Sequence, residues 1–363
     1  MAKPNANTPF KAAVVGGTGY GGAEMIRSLL GHPSIALTRV SSIDAVGEPL
    51  ENVHLNMSNT GLTFEEIPLE EAAKGVDIVL LGLPHKVSCN LTPELEKLSC
   101  KVVDMSGDFR LNDKELYARY YGQEHPYPDQ LLGRWQFGLP ELYRDKIKQA
   151  DRVAAPGCFA TTIMVSLLPL AQAGLLSGPV QTVAATGSSG SGAYAKAGTH
   201  HPLRANNMKS YKVLDHQHVP EINMVLSDAI KSNGHDTSFA LHFVPVSAPL
   251  PRGILANSFI RVSEDFSSED ADKLYTDYYA DSQFVRALGS GGRTAEVVAI
   301  KGSMWVDLSW KLSEPDGQGG RQLTVSAALD NLVKGGAGQA LQNMNLMLGL
   351  PEGEGIDAPA LWP

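Results

Sequence analysis

Val14-Val15-Gly16-Gly17-Thr18-Gly19-Tyr20-Gly21-Gly22 is the stretch whose reading decides the fold. Glycines stand at 16, 19 and 22, between an apolar run at 11–15 that reads as a buried strand and a run at 23–30 that reads as a helix. In that context Gly16 permits a tight turn, Gly19 lets the backbone approach a pyrophosphate, and Gly22 allows close helix packing. Thr18, Tyr20 and Gly21 complete the loop as further candidate contacts to a dinucleotide. A glycine triplet alone is common in turns; the strand before it and the helix after it give it meaning.

Further strands are expected at 36–41, 76–83 and 101–105, the third of these four almost wholly apolar. Continuous apolar strands alternating with helices predict an α/β domain, a Rossmann-type doubly wound parallel sheet covered on both faces. Residues 1–9 are polar and proline-containing, and read as a disordered lead-in with no apolar signal segment. From about 158 onward the texture changes. Strands are expected at 180–185, 239–246, 253–262, 295–300, 304–310 and 322–328, and helices at 159–170, 219–231, 268–280 and 334–348. This is the pattern of an α+β domain with a mixed or antiparallel sheet, and 314–320 is a turn between two of its strands.

The second strand ends at Arg39-Val40-Ser41-Ser42 with no acid at its tip. An acid there would grip the ribose 2′-hydroxyl of NAD, whereas hydroxyls and an arginine suit a 2′-phosphate. Arg39, Ser41 and Ser42 therefore predict NADP(H), with Asp44 slightly further on. Leu83-Pro84-His85 closes the third strand and Asp104-Met105-Ser106-Gly107-Asp108-Phe109-Arg110 the fourth, at the sheet edge where such folds bind ligands. Pro84 and His85 are candidates for the nicotinamide end; a surface-loop histidine explains His85 equally well.

Cys158 follows Ala155-Pro156-Gly157 and precedes an apolar run, so its thiol stands at a helix N-terminus. Unpaired N–H groups and the helix dipole there favour thiolate. A primed thiol and a hydride carrier in one chain point to covalent thioester chemistry followed by reduction. Cys89 and Cys100 lack such a setting and read as small buried hydrophobes. Three cysteines make no disulfide framework and no CxxC pair, which fits the reducing cytoplasm. The 363 residues carry a net charge of −9, with 43% apolar and 19% charged side chains. That balance argues for two globular domains and against nucleic acid or an anionic membrane as the main partner. No apolar stretch is long enough to span a bilayer.

Together these segments resemble the N-acetyl-γ-glutamyl-phosphate reductases, the arginine-biosynthesis branch of the aspartate-semialdehyde dehydrogenase superfamily. The resemblance runs from about residue 10 to 356 and is carried by GGTGYGGAE (16–24), LGLPHKVS (81–88), DMSGDFRL (104–111), YGQEHPYP (121–128), FGLPEL (137–142), APGCFATT (155–162), DHQHVPEI (215–222), PRGILA (251–256) and DNLVKGGAGQALQNMNLMLGLPE (330–352). It implies a cofactor domain over 1–157 completed by 331–363, and a catalytic and dimerisation domain over 158–330. It implies that Cys158 attacks an acyl phosphate, that phosphate leaves, and that hydride from NADPH reduces the thioester to an aldehyde.

In His216-Gln217-His218 the resemblance gives the catalytic role to His216, as an acid–base group needing little pKa tuning, and leaves His218 a structural hydrogen bond. Arg110 and Arg252 are candidates for the substrate's anionic groups, and Glu141 either holds the acylated nitrogen or orients a loop. Asn331 resembles a residue near the nicotinamide amide. Ser189, a further cofactor-binding candidate, lies in Thr186-Gly187-Ser188-Ser189-Gly190-Ser191, a run that is either an oxyanion-type nest of N–H groups or a flexible connector. No metal site is expected, since no third or fourth ligand accompanies the histidines. A homodimer or homotetramer acting on a small acyl phosphate is the implied assembly.

Cys158 is followed by Phe159-Ala160, where the family commonly has tyrosine-proline, and Ser106-Gly107-Asp108 replaces a more usual alanine-containing version. Thr199-His200-His201-Pro202-Leu203-Arg204 departs further, looking more like sister enzymes that reduce an aminoadipyl phosphate attached to a small acidic carrier protein. Arg204, Lys209 and Lys212 form the basic patch such a carrier requires, or a solvated face. A non-catalytic nucleotide-binding regulator is the rival from another class, and Cys158 with His216 argues against it.

Overall fold

A computed structural model of the chain describes residues 10–130 and 134–362. The lead-in expected at 1–9 lies outside the described residues. Contacts gather the chain into two compact units. The first runs up to Pro156 and includes Gly192–Tyr194 and Gly336–Ala358; the second comprises Gly157–Ser191, Ala195–Gly335 and the residues after Ala358. The C-terminal segment grouped with the first unit thus begins at Gly336 and not at Asn331.

The first unit is built on β1 (Phe10–Val15), β2 (Ile35–Ser41), β3 (Phe64–Glu65), β4 (Ile78–Leu81), β5 (Lys101–Asp104), β6 (Gln136–Phe137) and β7 (Arg152–Ala154). All pairings are parallel, in the order β3-β2-β1-β4-β5-β7-β6. The order reverses between β1 and β4, which opens a crevice at their carboxyl ends. The four apolar residues of β4 are all buried, as a central parallel strand requires. The strand is shorter than the run expected at 76–83, although Gly82 N–H still donates to Val15 O at its end. The helix Gly338–Met347 is buried along its whole length. Two of its side-chain amides reach one carbonyl there: Gln339 Nε2 and Asn343 Nδ2 both donate to Gly138 O, at 2.7 and 2.9 Å.

The second unit holds β8 (Gly178–Thr186), β9 (Lys209–Ser210), β10 (Phe239–Ser247), β11 (Ile254–Ser263), β12 (Val285–Ala287), β13 (Val306–Leu312) and β14 (Gly320–Leu329), in the order β12-β13-β14-β11-β8-β10-β9. β8 pairs β10 in parallel and β12 pairs β13 in parallel, while the remaining pairs are antiparallel, so the sheet is mixed. The helix Cys158–Gln172 packs on β11 and β14 and against the helix Val219–Ser232. Phe159 through Ala171 are buried without exception. Pro169 removes one N–H from this helix and leaves Val165 O without its helical donor. The Tyr279 hydroxyl donates to that carbonyl, and the Tyr275 hydroxyl donates to Ser166 O.

Two expected elements differ. The strand expected at 295–300 is a short 3₁₀ turn, Val297–Ala299. A brief apolar run has no periodicity to separate the two, and here Val297 packs against Gly253, where an added Cβ would lie 2.2 Å from its Cγ1. The helix expected from 334 begins with a wide π turn, Val333–Ala337, broken at Gly336, before the α-helix starts at Gly338.

Candidate active site

In the first unit the glycine loop closes β1 onto the crevice. The N–H groups of Gly16 and Gly17 both donate to Ser41 O, at 2.8 and 3.1 Å. Gly16 has φ +88, and an added Cβ would lie 2.7 Å from Gly82 O. A Cβ at Gly22 would lie 2.5 Å from Gly16 O, so the helix Tyr20–Leu30 meets the loop backbone to backbone. Gly19 differs: a Cβ there meets nothing within 4 Å. This glycine caps the helix with no side-chain hydrogen bond, so an open anion cradle faces the helix N-terminus. The pyrophosphate of a dinucleotide fits these residues.

Ser41 and Ser42 are buried beside the loop, with Ser42 Oγ 3.0 Å from Thr18 Oγ1. Thr18 Oγ1 donates to Asp44 Oδ2 at 3.4 Å, and the Tyr194 hydroxyl also donates to that carboxylate. Arg39 turns one Nη to the carbonyls of Glu71 and Lys74, at 3.2 and 2.7 Å. Pro84 and His85 are exposed just past β4, and His85 Nδ1 accepts the Gly107 N–H at 2.8 Å. Behind them, buried Asp108 accepts from Lys86 N, Cys89 N and the Tyr117 hydroxyl. Asp104 accepts from Ser88 and Ser106, and burial pushes its carboxyl up to about 6. Arg110 is buried and gives Nε to Ala155 O and one Nη to Met105 O, bracing the ends of two strands. Glu141 is half-buried in the first turn of the helix Pro140–Gln149.

In the second unit Cys158 is the first residue of its helix, capped by Gly157 with no side-chain hydrogen bond. The thiol residue is half-exposed while the next thirteen residues are buried. Gly335, in the π turn, approaches so closely that a Cβ would lie 2.8 Å from Cys158 Cβ. Burial, then the Cys158 thiol, raise the Tyr211 phenol well above its ordinary value, and Arg204 opposes them. Arg204 itself donates to Thr186 O at 3.1 Å.

His216 is buried among aromatic edges, with Phe159, Phe243, Tyr211 and His218 at ring separations of 5.4, 5.5, 5.9 and 4.6 Å. Burial, and then Lys212, push its pKa down to about 3. The expectation of an untuned imidazole is therefore corrected: His216 is neutral at ordinary pH. Its Nδ1 accepts the His218 N–H at 3.2 Å, which assigns the ring proton to Nε2. His218 packs flat on the cysteine turn: a Cβ at Gly157 would lie 2.2 Å from His218 Nε2. Glu221 Oε2 accepts the Gly157 N–H at 3.3 Å, and its Oε1 lies 3.8 Å from His218 Nε2.

A third cluster joins three distant segments of the second unit. Arg252 pairs with buried Asp330 at 3.1 Å. Asn331 Oδ1 accepts the Gly253 N–H at 2.6 Å, and Asn331 Nδ2 donates to Ser189 Oγ at 3.0 Å. Ser189 N donates to Pro251 O, fixing the glycine-serine run on this loop. Ser189, Arg252 and Asn331 are thus brought together, while Arg110 and Glu141 belong to the first unit. Sequence reasoning missed Glu221, Asp330, Tyr211 and Gly335; only Glu221 had a local signal, three residues past His218 in a helix start. Cys89 and Cys100 are buried, and burial pushes the Cys89 thiol up to about 11. Among the described residues no three His, Cys, Asp or Glu gather to hold a metal, and no helix is long and apolar enough to cross a membrane.

Family models place these two halves in known company. Residues 11–150 match the semialdehyde dehydrogenase NAD binding domain, and 158–331 the semialdehyde dehydrogenase dimerisation domain. N-acetyl-gamma-glutamyl-phosphate reductase of Bacillus cereus is 36% identical over 355 residues, covering 97% of this chain and 100% of that protein. The chain belongs to the semialdehyde dehydrogenase family. Another relative, the [LysW]-L-2-aminoadipate 6-phosphate reductase of Deinococcus radiodurans, is 36% identical over 358 residues, with 97% of each chain covered. Aspartate semialdehyde dehydrogenase II of Vibrio cholerae shares the fold at a TM-score of 0.68 and 15% identity, covering 94% of this chain and 98% of that one. The Candida albicans aspartate semialdehyde dehydrogenase solved with NADP does so at 0.66 and 14%, covering 93% and 98%. As a semialdehyde dehydrogenase, this chain is an oxidoreductase with a nicotinamide-cofactor domain.

Proposed function

We propose that the enzyme reduces N-acetyl-L-glutamyl 5-phosphate to N-acetyl-L-glutamate 5-semialdehyde and phosphate, with NADPH as reductant, in the cytoplasm. The observation that carries the reading is Cys158 opening a glycine-capped helix whose next residue, Phe159, packs on neutral His216 and whose cap meets His218 and Glu221. The Cys158 thiolate attacks the acyl carbon, the acyl–phosphate bond breaks, and phosphate leaves with its electron pair. A nicotinamide bound in the first unit would supply the hydride that reduces the resulting thioester. The tetrahedral oxyanion then collapses to the aldehyde and regenerates the thiolate. His216, holding its proton on Nε2, serves as a neutral donor to that oxyanion, which asks for a hydrogen bond and not a charge. The cofactor would be held by Gly16, Thr18, Gly19, Tyr20, Gly21 and Gly22, by Ser41 and Ser42 with Arg39 nearby, by Pro84 and His85, and by Ser189 and Asn331. Arg110, Glu141 and Arg252 would set the shape of the substrate's anionic sites. The first unit would act as the cofactor domain and the second as the catalytic and dimerisation domain.

The small acetylated substrate is preferred because Arg204 already donates to Thr186 O, which leaves the basic patch to Lys209 and Lys212. The experiment is phosphate-dependent reduction of NADP⁺ with N-acetyl-glutamate 5-semialdehyde, run beside the carrier-bound six-carbon semialdehyde. Turnover of the free five-carbon substrate supports the reading, and turnover of the carrier-bound one alone overturns it. A homodimer or homotetramer assembled through the second unit is the accompanying proposal, measured by sedimentation.

A further inference from the structure

The turn that presents Cys158 is gripped from outside its own helix. Gly157 has φ −72 and ψ 153, an extended conformation with its N–H directed away from the helix it caps. That N–H meets Glu221 Oε2 at 3.3 Å. Glu221 is 1% exposed and stands in the first turn of the helix Val219–Ser232, so one carboxylate lies at the N-termini of two helices. Its other oxygen faces His218 Nε2 at 3.8 Å, and the His218 ring fills the space where a side chain on Gly157 would be. A buried N–H without an acceptor is costly, so a carboxylate placed here ties the turn to the second helix.

We propose that Glu221 is a positioning residue for the reaction: its carboxylate anchors the Gly157 amide and thereby fixes where the Cys158 thiol stands. The inference rests on the reading of Cys158 as nucleophile. Glu221 touches neither substrate nor cofactor in this role. It acts through the turn, and what it supplies is an acceptor oxygen at a fixed reach and not a negative charge.

Three substitutions separate reach from charge. Glu221→Gln keeps a carbonyl oxygen at the same reach and removes the charge. Glu221→Asp keeps the charge and withdraws the oxygen by one methylene. Glu221→Ala removes both. A misplaced reacting group costs about 10²-fold, so Asp and Ala variants are expected to lose about that factor in kcat with KM for both substrates nearly unchanged, while Gln recovers most of the loss. The rate at which iodoacetamide alkylates Cys158, followed by peptide mass spectrometry, is expected to change in the Asp and Ala variants and to stay near wild type in Gln. This labelling needs no turnover and no acyl phosphate. Near wild-type kcat in the Asp variant, or a Gln variant as slow as Asp, overturns the anchor. If Ala does not fold, the Gln and Asp pair decides alone. Failure of the nucleophile reading is seen separately, as retained turnover in Cys158→Ser.

Discussion

Among the described residues two α-helices begin at a glycine with no side-chain cap, and the two beginnings are built to opposite ends. Behind Gly19 the helix N-terminus opens on empty space, with nothing within 4 Å of where a Cβ would be. Behind Gly157 the same kind of terminus is packed shut, with His218 Nε2 2.2 Å from the corresponding point and Glu221 on the N–H. The backbone chemistry is alike: orphan N–H groups and the positive end of a helix dipole. What differs is who answers it. The first leaves room for an anionic ligand that arrives and departs. The second supplies its own carboxylate and holds a side-chain sulfur in place.

The largest effect should come from the closed end. Cys158→Ser is expected to abolish turnover while NADP(H) binding, measured by fluorescence titration, stays intact, because serine forms no comparable anion at neutral pH. Activity within tenfold of wild type would remove the nucleophile from this turn and erase the contrast.

Next comes His216→Ala, which removes the Nε2 donor and is expected to slow turnover by about 10²–10³-fold, with His218→Ala costing less. The reverse order would move the reacting group to the histidine packed on Gly157. His216 carries a second signature. Burial holds its pKa at about 3 in the folded chain, against an ordinary 6.5 for imidazole. The unfolded chain takes up a proton that the folded one refuses, so the stability this burial confers is full above pH 6.5 and drains away as pH falls toward 3. His216→Asn should flatten that acid limb in melting temperature measured against pH.

The open end predicts a milder loss. Gly19→Ala should fold normally, since its methyl meets nothing, yet raise the KM for cofactor about tenfold by crowding the pyrophosphate. Gly22→Ala, aimed at Gly16 O, should instead fail to fold. Equal behaviour of the two variants would break the distinction between a cradle and a packing contact.

Cofactor choice should give the smallest shift. NADPH is expected to be preferred over NADH in kcat/KM, and Asp44→Asn to widen the preference several-fold, because Asp44 sits at Thr18 where it repels a 2′-phosphate. Equal kcat/KM with both cofactors in the wild type would refute the reading of β2's end.

The open cradle was legible in the sequence because everything it needs is local: a strand, three glycines and a helix within twenty residues. The closed turn was legible only in its thiol. Its neighbours Gly335 and Tyr211 reach it across the chain, and no spacing rule announces such contacts. Glu221 carries a local signal as well, since an acid three places past His218 along a helix start lies on the same face. Short edge strands, β3, β6, β9 and β12, were missed because two or three residues carry no period. The run at 295–300 was misread for the same reason.

The helix that carries Cys158 is buried from Phe159 to Ala171, and two tyrosine hydroxyls cap the carbonyls near its proline. A helix buried over that length is expected to open with the core around it. The Cys158 sulfur, on the first residue of that helix, is therefore expected to keep its place until the second unit's core opens. On heating, its alkylation rate should break at the same temperature at which that core's near-ultraviolet signal disappears, with no earlier step. The thiol would then be a gauge of folding as well as a reagent, and variants that soften the core far from it should be found by their labelling rate before any assay of turnover is run.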